Sequence, residues 1–290
     1  MRITPDSLSQ HLRKQVAPLY TVFGDELLLT IEAADLIRAK AYQAGYTERE
    51  IFAVDHHFNW TDLQQRSSSL SLFGERRIMD IRIPSGKPGN PGSGVIEGYC
   101  RSLPPHTVTL VTLPRIDKQV AATKWFKALE GAGVMVPVYP VERTRLPMWI
   151  GQRLDMQEQK ADPETVRFLA DKVEGNLIAA YQELKKLALL YPPGVLSFEQ
   201  VKDAVLDVAR YDVFKLSGAL MAGETARYTR MLEGLQGEGA ALPLIVNTLA
   251  GQIRSLIMIR KGLDSGRPLT QLMSQIRAWG DQQKAMESAA

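Results

Sequence analysis

Through the first half of the chain, short β-branched or aromatic runs alternate with longer stretches of helical periodicity. Leu19–Phe23, Ile51–Val54, Arg77–Ile83, Thr107–Leu113 and Val134–Val141 predict strands. Between them Asp25–Gly45, Trp60–Leu70, Gly94–Ser102 and Lys118–Gly131 predict helices. Val120, Trp125, Phe126 and Leu129 show the spacing that gathers apolar groups on one helical face. Strands alternating with crossovers of this length predict a parallel α/β sheet covered on both faces. The breaker-rich run from Ser85 to Gly94 predicts a surface loop.

After Pro137, Pro140 and Pro147 the strand signals nearly vanish. Asp162-Pro163-Glu164 is an N-cap, a proline at the first helical position and an early acidic residue. Ser197-Phe198-Glu199-Gln200 is a capping box opening another helix. Gly175-Asn176 separates a helix ending near Val173 from one over Leu177–Leu190, which Tyr191-Pro192-Pro193-Gly194 ends. A third set of helices is predicted at Val213–Met221, Thr225–Gly234, Leu242–Gly262 and Leu269–Gln275. The pattern is thus α/β followed by all-α.

Composition narrows the class. Of 290 residues 45% are hydrophobic and 23% charged, an ordinary globular mixture. Thirty-five basic against 32 acidic side chains leave a net charge of +3, too weak to imply nucleic-acid binding by itself. The single cysteine, Cys100, excludes an intrachain disulfide framework and a cysteine-rich zinc site, and suits a reducing compartment. The longest apolar region, Leu242 to Gly262, is interrupted by Asn247, Gln252, Arg254 and Arg260, and the N-terminus lacks a signal-peptide core. A cytoplasmic protein with no membrane partner is expected.

Open α/β sheets bind ligands at the carboxyl ends of their strands, so the loop after the first strand is the place to look for chemistry. A phosphate loop requires Gly-x-x-x-x-Gly-Lys-Ser/Thr, whose amides cradle phosphates while the lysine neutralises them. The chain instead has Val22-Phe23-Gly24-Asp25-Glu26-Leu27-Leu28, with two carboxylates where polyphosphate would lie. Capping of the following helix is the expected role of Asp25 and Glu26. At the end of Thr107–Leu113, Leu113-Pro114 stands where a nucleotidase carries an acid for magnesium-bound water, and Asp117 is placed as a helix N-cap. His11, His56, His57 and His106 match no metal-ligand spacing, and there is no Gly-x-Ser-x-Gly elbow. No catalytic residue, cofactor site or metal site is expected.

One stretch differs in kind: Arg66-Ser67-Ser68-Ser69-Leu70-Ser71-Leu72-Phe73-Gly74. Gly74 is the expected left-handed stop of the helix from Trp60. Adjacent Leu72 and Phe73 lie about 100° apart on a helix and so cannot both face the sheet beneath. Two readings are open: a helix end packed on the sheet, or an apolar plug presented to another protein's pocket.

Taken in order, Val22-Phe23-Gly24-Asp25-Glu26-Leu27-Leu28, Ser69-Leu70-Ser71-Leu72-Phe73, Trp125-Phe126, Leu146-Pro147-Met148-Trp149-Ile150 and Glu174-Gly175-Asn176-Leu177 with Leu184 and Leu187–Leu190 resemble the delta subunit of bacterial DNA polymerase III. That family supplies the clamp-loader subunit that opens the sliding clamp. The resemblance implies an AAA+-type parallel-sheet domain without a working phosphate loop over 1–140. It further implies a small helical lid domain over 141–210 and a helical collar domain over 211–290, truncated relative to the family's collar. It implies that Leu70, Leu72 and Phe73 form the clamp-binding element and that the chain does not hydrolyse ATP. The implied partners are the sliding clamp, the other clamp-loader subunits through the collar, and primer–template DNA in the assembled loader. The chain would then belong to a DNA-directed DNA polymerase holoenzyme without a catalytic site of its own. A catalytically inert adaptor of another assembly and a divergent phosphate-loop ATPase are the alternatives, separated by clamp binding and nucleotide binding respectively.

Overall fold

Every strand-forming run of the first half joins a single parallel sheet. The structure is a computed structural model that describes residues 1–68, 76–205, 209, 211, 213–274 and 276. The chain divides into two compact units, Met1–Val141 and Glu142–Ala290.

The first unit opens with α1 (Pro5–Lys14), β1 (Leu19–Gly24), α2 (Leu27–Gln43), β2 (Tyr46–Ala53) and α3 (Trp60–Ser68). It continues with β3 (Arg76–Arg82), α4 (Gly89–Arg101), β4 (Thr107–Leu113), α5 (Lys118–Ala121), α6 (Lys124–Ala132) and β5 (Val134–Val138). The sheet order is β2-β3-β4-β1-β5. Alternate side chains go to opposite faces, as the period of two requires. Tyr20, Val22, Ile78, Leu110 and Val136 pack under α1 and α2 with Leu8, Leu12, Ala34 and Ile37. Phe23, Met79, Ile81, Val111 and Met135 pack under α3, α4 and α6 with Trp60, Leu63, Ile96, Trp125 and Phe126. Burial on both faces explains why these strands read as nearly continuous apolar runs. The outer edge of β5 is covered by the N-terminus: the Ile3 amide donates to the Met135 carbonyl at 3.0 Å, and the Met135 amide to the Met1 carbonyl at 2.8 Å.

The structure departs from the sequence pattern in several places: α1 lies in a stretch with no expected element, the helix expected over Lys118–Gly131 is split into α5 and α6, and β5 ends at Val138 instead of Val141. Two further boundaries differ for an evident reason. β2 begins five residues early, at Tyr46, and carries Glu48, Arg49 and Glu50, because an edge strand tolerates charge. α4 begins at Gly89, inside the stretch expected to be a loop. Gly89 enters at φ 73°, and Gly92 is required by contact: a Cβ there would lie 2.4 Å from the Trp60 ring. Of the glycines that read as breakers, Gly92 serves close packing of α4 on α3.

The second unit contains α7 (Leu146–Met156), β6 (Gln159–Ala161), α8 (Pro163–Val173), α9 (Leu177–Leu190), β7 (Gly194–Leu196) and α10 (Phe198–Ala204). These are followed by α11 (Val213–Met221), α12 (Thr225–Gly237), α13 (Leu242–Asp264) and α14 (Leu269–Ser274). The expected caps are present. Asp162 accepts from the amides of Glu164 and Thr165, and Ser197 forms a capping box with Gln200. The short parallel pair β6–β7 was not foreseen. Gln159 holds it to α9 by donating to the Leu187 and Tyr191 carbonyls at 3.3 and 2.9 Å. α13 packs through Ile245 against α11 and α12 and through Ile259 against α14. By length and composition α13 is apolar enough to cross a membrane, and Leu242, Val246, Ile253 and Ile257 along it are exposed.

Candidate functional site

The connection from β1 runs to the far edge of the sheet at β2, while the connection from β4 runs the other way, to β5. A doubly wound sheet opens its ligand crevice where such connections diverge, at the carboxyl ends of the strands. In this chain that place is filled by Gly24-Asp25-Glu26 after β1 and Leu113-Pro114 after β4. Gly24 serves packing there, since a Cβ would lie 1.8 Å from the Val138 carbonyl oxygen of β5. Asp25 pairs with Arg115 at 3.0 Å, bridging the two loops. Glu26 is the N-cap of α2, its carboxylate accepting from the Leu28 amide at 3.4 Å. Burial pushes the Glu26 carboxyl above its ordinary range; the Leu28 amide works against the rise and the Asp25 charge adds to it. Asp117 caps α5 through the Val120 amide at 2.7 Å. Glu26 and Asp117 thus hold the capping roles expected of them, whereas Asp25, also expected to cap α2, is paired with Arg115 instead.

Other candidate groups do not converge. No group of three or more His, Cys, Asp or Glu side chains suited to a metal occurs among the described residues. His11 contacts the Tyr20 hydroxyl at 3.2 Å, with the rings edge to face. Burial pushes the Cys100 thiol up to about 12, far from a thiolate at neutral pH.

Leu70, Leu72 and Phe73 lie outside the described residues. Their flanks are well defined. α3 is anchored by buried Trp60 and Leu63. In its last turn the Ser67 carbonyl accepts from Arg77 Nη2 at 3.4 Å, at the start of β3. Arg77 is itself buried, donating also to Glu50 and Thr107, while Arg66 pairs with Glu50 at 3.3 Å. A side chain from the strand after the segment thus reaches the backbone of the helix before it. That contact is at the amino ends of the strands, where Arg77 is in register with Thr107, the first residue of β4. It lies at the opposite end of the sheet from the crevice. Sequence reasoning found the apolar segment and missed this stem; the signal available was a pair of arginines, Arg76-Arg77, opening an otherwise buried strand.

The family model described as DNA polymerase III, delta subunit, matches residues 20–138, from β1 to the end of β5. DNA polymerase III subunit delta of Escherichia coli is 26% identical over 100% of this chain and 84% of its own length. The Haemophilus influenzae subunit delta is 27% identical over 90% of this chain and 76% of its own. In fold, the chain is similar to the Bacillus subtilis DNA clamp loader delta protein, with a TM-score of 0.52 at 19% identity, over 98% of this chain and 87% of that one. A parallel sheet with this topology, and relatives of one kind aligned along 90–100% of the chain, point the same way: from β1 to β5 the chain matches the DNA polymerase III delta-subunit family.

Proposed function

We propose that this chain is the clamp-opening subunit of its loader, inserting Leu70, Leu72 and Phe73 into a hydrophobic pocket of the sliding clamp. The observation that carries this reading is the stem formed by Ser67 and Arg77. That bond ties the helix before the segment to the strand after it, and fixed flanks lower the ordering cost of presenting apolar side chains to a partner. The filled crevice supports a subunit that does not turn over ATP, because Asp25 and Glu26 would repel a triphosphate and nothing there replaces the lysine. We read the second unit as a lid over 141–210 and a collar over 211–290. The exposed stripe of Leu242, Val246, Ile253 and Ile257 supports assembly with other loader subunits through that collar, since helical spacing puts the four on one side of α13. Arg254, one turn from Ile257, opposes the lipid alternative. In this reading primer–template DNA is held by the assembled loader and the subunit works in the cytoplasm.

The test is Leu72→Ala combined with Phe73→Ala. Central hot-spot truncations cost about 2–4 kcal/mol each. Clamp affinity should therefore fall by roughly 10³-fold or more, at tenfold per about 1.4 kcal/mol, while the melting curve stays unchanged. A double variant that melts early would place both residues in the core, and a stable one that still binds the clamp tightly would end the mechanism. A saturable micromolar Mg-ATP site in calorimetry would overturn the part concerning nucleotide.

A further inference from the structure

On the α2 side of the sheet, the edge formed by β2 and β3 holds a cluster that neither the crevice nor the proposed plug uses. Asp80, in the middle of β3, is completely buried. It accepts from three arginines: Arg38 of α2 at 3.1 Å, Arg49 of β2 at 2.5 Å and Arg82 of β3 at 3.3 Å. Arg38 also pairs with Asp35 one turn away. Three guanidiniums against two carboxylates leave one uncompensated positive charge. Donors are also in surplus, because each guanidinium carries five N–H groups and Arg49 Nε is buried with no acceptor. Burial alone would raise the Asp80 carboxyl; hydrogen bonds from Arg82 and Arg49, with the Arg38 charge, hold it below the ordinary carboxylate range. The aspartate thus stays ionised and the excess stays positive.

The cluster is not sealed. Arg82 retains 45% of its side-chain exposure. Ile51, in register with Asp80 on the neighbouring strand and on the same face as Arg49, is 53% exposed. Ile31, on the same stripe of α2 as Arg38, is 47% exposed. Arg82, Ile51 and Ile31 thus leave this margin open to solvent. A cationic group flanked by two exposed isoleucines is the composition of an interface patch, not of a solvated rim.

We infer that this shelf binds a segment of a partner protein that carries a carboxylate beside an apolar side chain, with the carboxylate taken by Arg82 and Arg49 and the apolar group resting on Ile51 and Ile31. A single surplus charge matches one monoanionic carboxylate. A phosphodiester backbone would meet Asp35 at the rim and two apolar side chains where it needs cations, so nucleic acid fits less well. Guanidinium forks bind carboxylates by paired N–H bonds, which orients the segment as well as holding it. The site stands independently of the plug, being built wholly from β2, β3 and α2.

The experiment titrates the full chain with a short peptide alternating leucine and glutamate. Its leucine–lysine counterpart, a duplex oligonucleotide and inorganic phosphate are run alongside. The acidic peptide should bind saturably, and Arg82→Gln should weaken it by about tenfold or more, the loss expected for a charged hydrogen bond. Asp80 keeps Arg38 and Arg49 in that variant. Ile51→Ser, at an exposed position, should weaken the same peptide with no change in melting, and decides the matter if Arg82→Gln loosens the fold. Equal binding of both peptides, preference for the duplex or phosphate, no binding, or binding indifferent to the substitutions overturns the proposal.

Discussion

Replacing Glu174 by glutamine should destabilise the second unit far more than a surface charge change would. Glu174 follows α8 and is buried, 7% exposed. Arg227 of α12 holds it through both oxygens, at 2.5 and 3.3 Å, and Arg143 Nε lies 3.5 Å away. Removing one partner of a buried pair costs about 3–5 kcal/mol when the other is stranded. Arg227 is not fully stranded, because Glu224 remains at 2.9 Å, and Arg143 keeps Asp171 and Glu224. The cost should therefore fall to about 2–3 kcal/mol. Urea unfolding of the full chain followed by circular dichroism measures it. A cycle with Arg227→Met should show about 1–2 kcal/mol of coupling, since the two residues share bonds. High salt should change the loss little, because screening is weak for a pair this enclosed. A loss below about 0.5 kcal/mol, or strictly additive substitutions, would refute the claim that this network joins the helices before Val205 to those after Val213. In the proposed division into lid and collar, that network is the junction.

Two further outcomes follow from the first unit. Gly24→Ala should cost about 1–3 kcal/mol or more by overpacking against the Val138 carbonyl, measured as a lower urea midpoint; a neutral result would refute the packing role of Gly24. His11 should make stability depend on pH. Burial, with the charge of Lys14 added, lowers its pKa, and the Tyr20 hydroxyl, which accepts from the Ala17 amide at 2.7 Å, has its proton left for His11 Nε2. A depressed folded-state value means that this contribution is present above the unfolded value near 6.5 and is lost as pH falls through the folded one. The urea midpoint should drop on acidification, and His11→Gln, which accepts without titrating, should flatten that part of the profile.

How far the chain could be read depended on the kind of signal each element carries. The central strands were legible because burial on both faces demands nearly continuous apolar runs, as in Val108–Val111, where only Thr109 is polar. Asp162, Ser197 and Asp117 were legible because a cap is a local bond between neighbours. β2 was read too short because Glu48, Arg49 and Glu50 owe their places to partners far away: Arg49 to Asp80, Glu50 to Arg66 and Arg77. α4 was read too late because glycine is judged by its conformational freedom, whereas Gly92 is there for the Trp60 ring. The same limit hid the stem of the proposed plug. Ser67 and Arg77 are ordinary residues whose significance is that they touch.

That contact bears on how a fold of this type changes its work. A nucleotide-dependent sheet acts from the carboxyl ends of its strands, where backbone amides and a helix N-terminus await phosphate. Here that end is closed by Gly24 against β5, by Glu26 on α2 and by Asp25 with Arg115. These are interactions a phosphate would have to break, so restoring a lysine alone would not restore the site. The Ser67–Arg77 contact lies at the amino ends of the strands and involves none of those groups. In the proposed mechanism the closed end ties β1 to β5 and the loop after β1 to the loop after β4 without calling on a nucleotide. A rigid sheet transmits a push on its far end without absorbing it, which is what levering a clamp open requires.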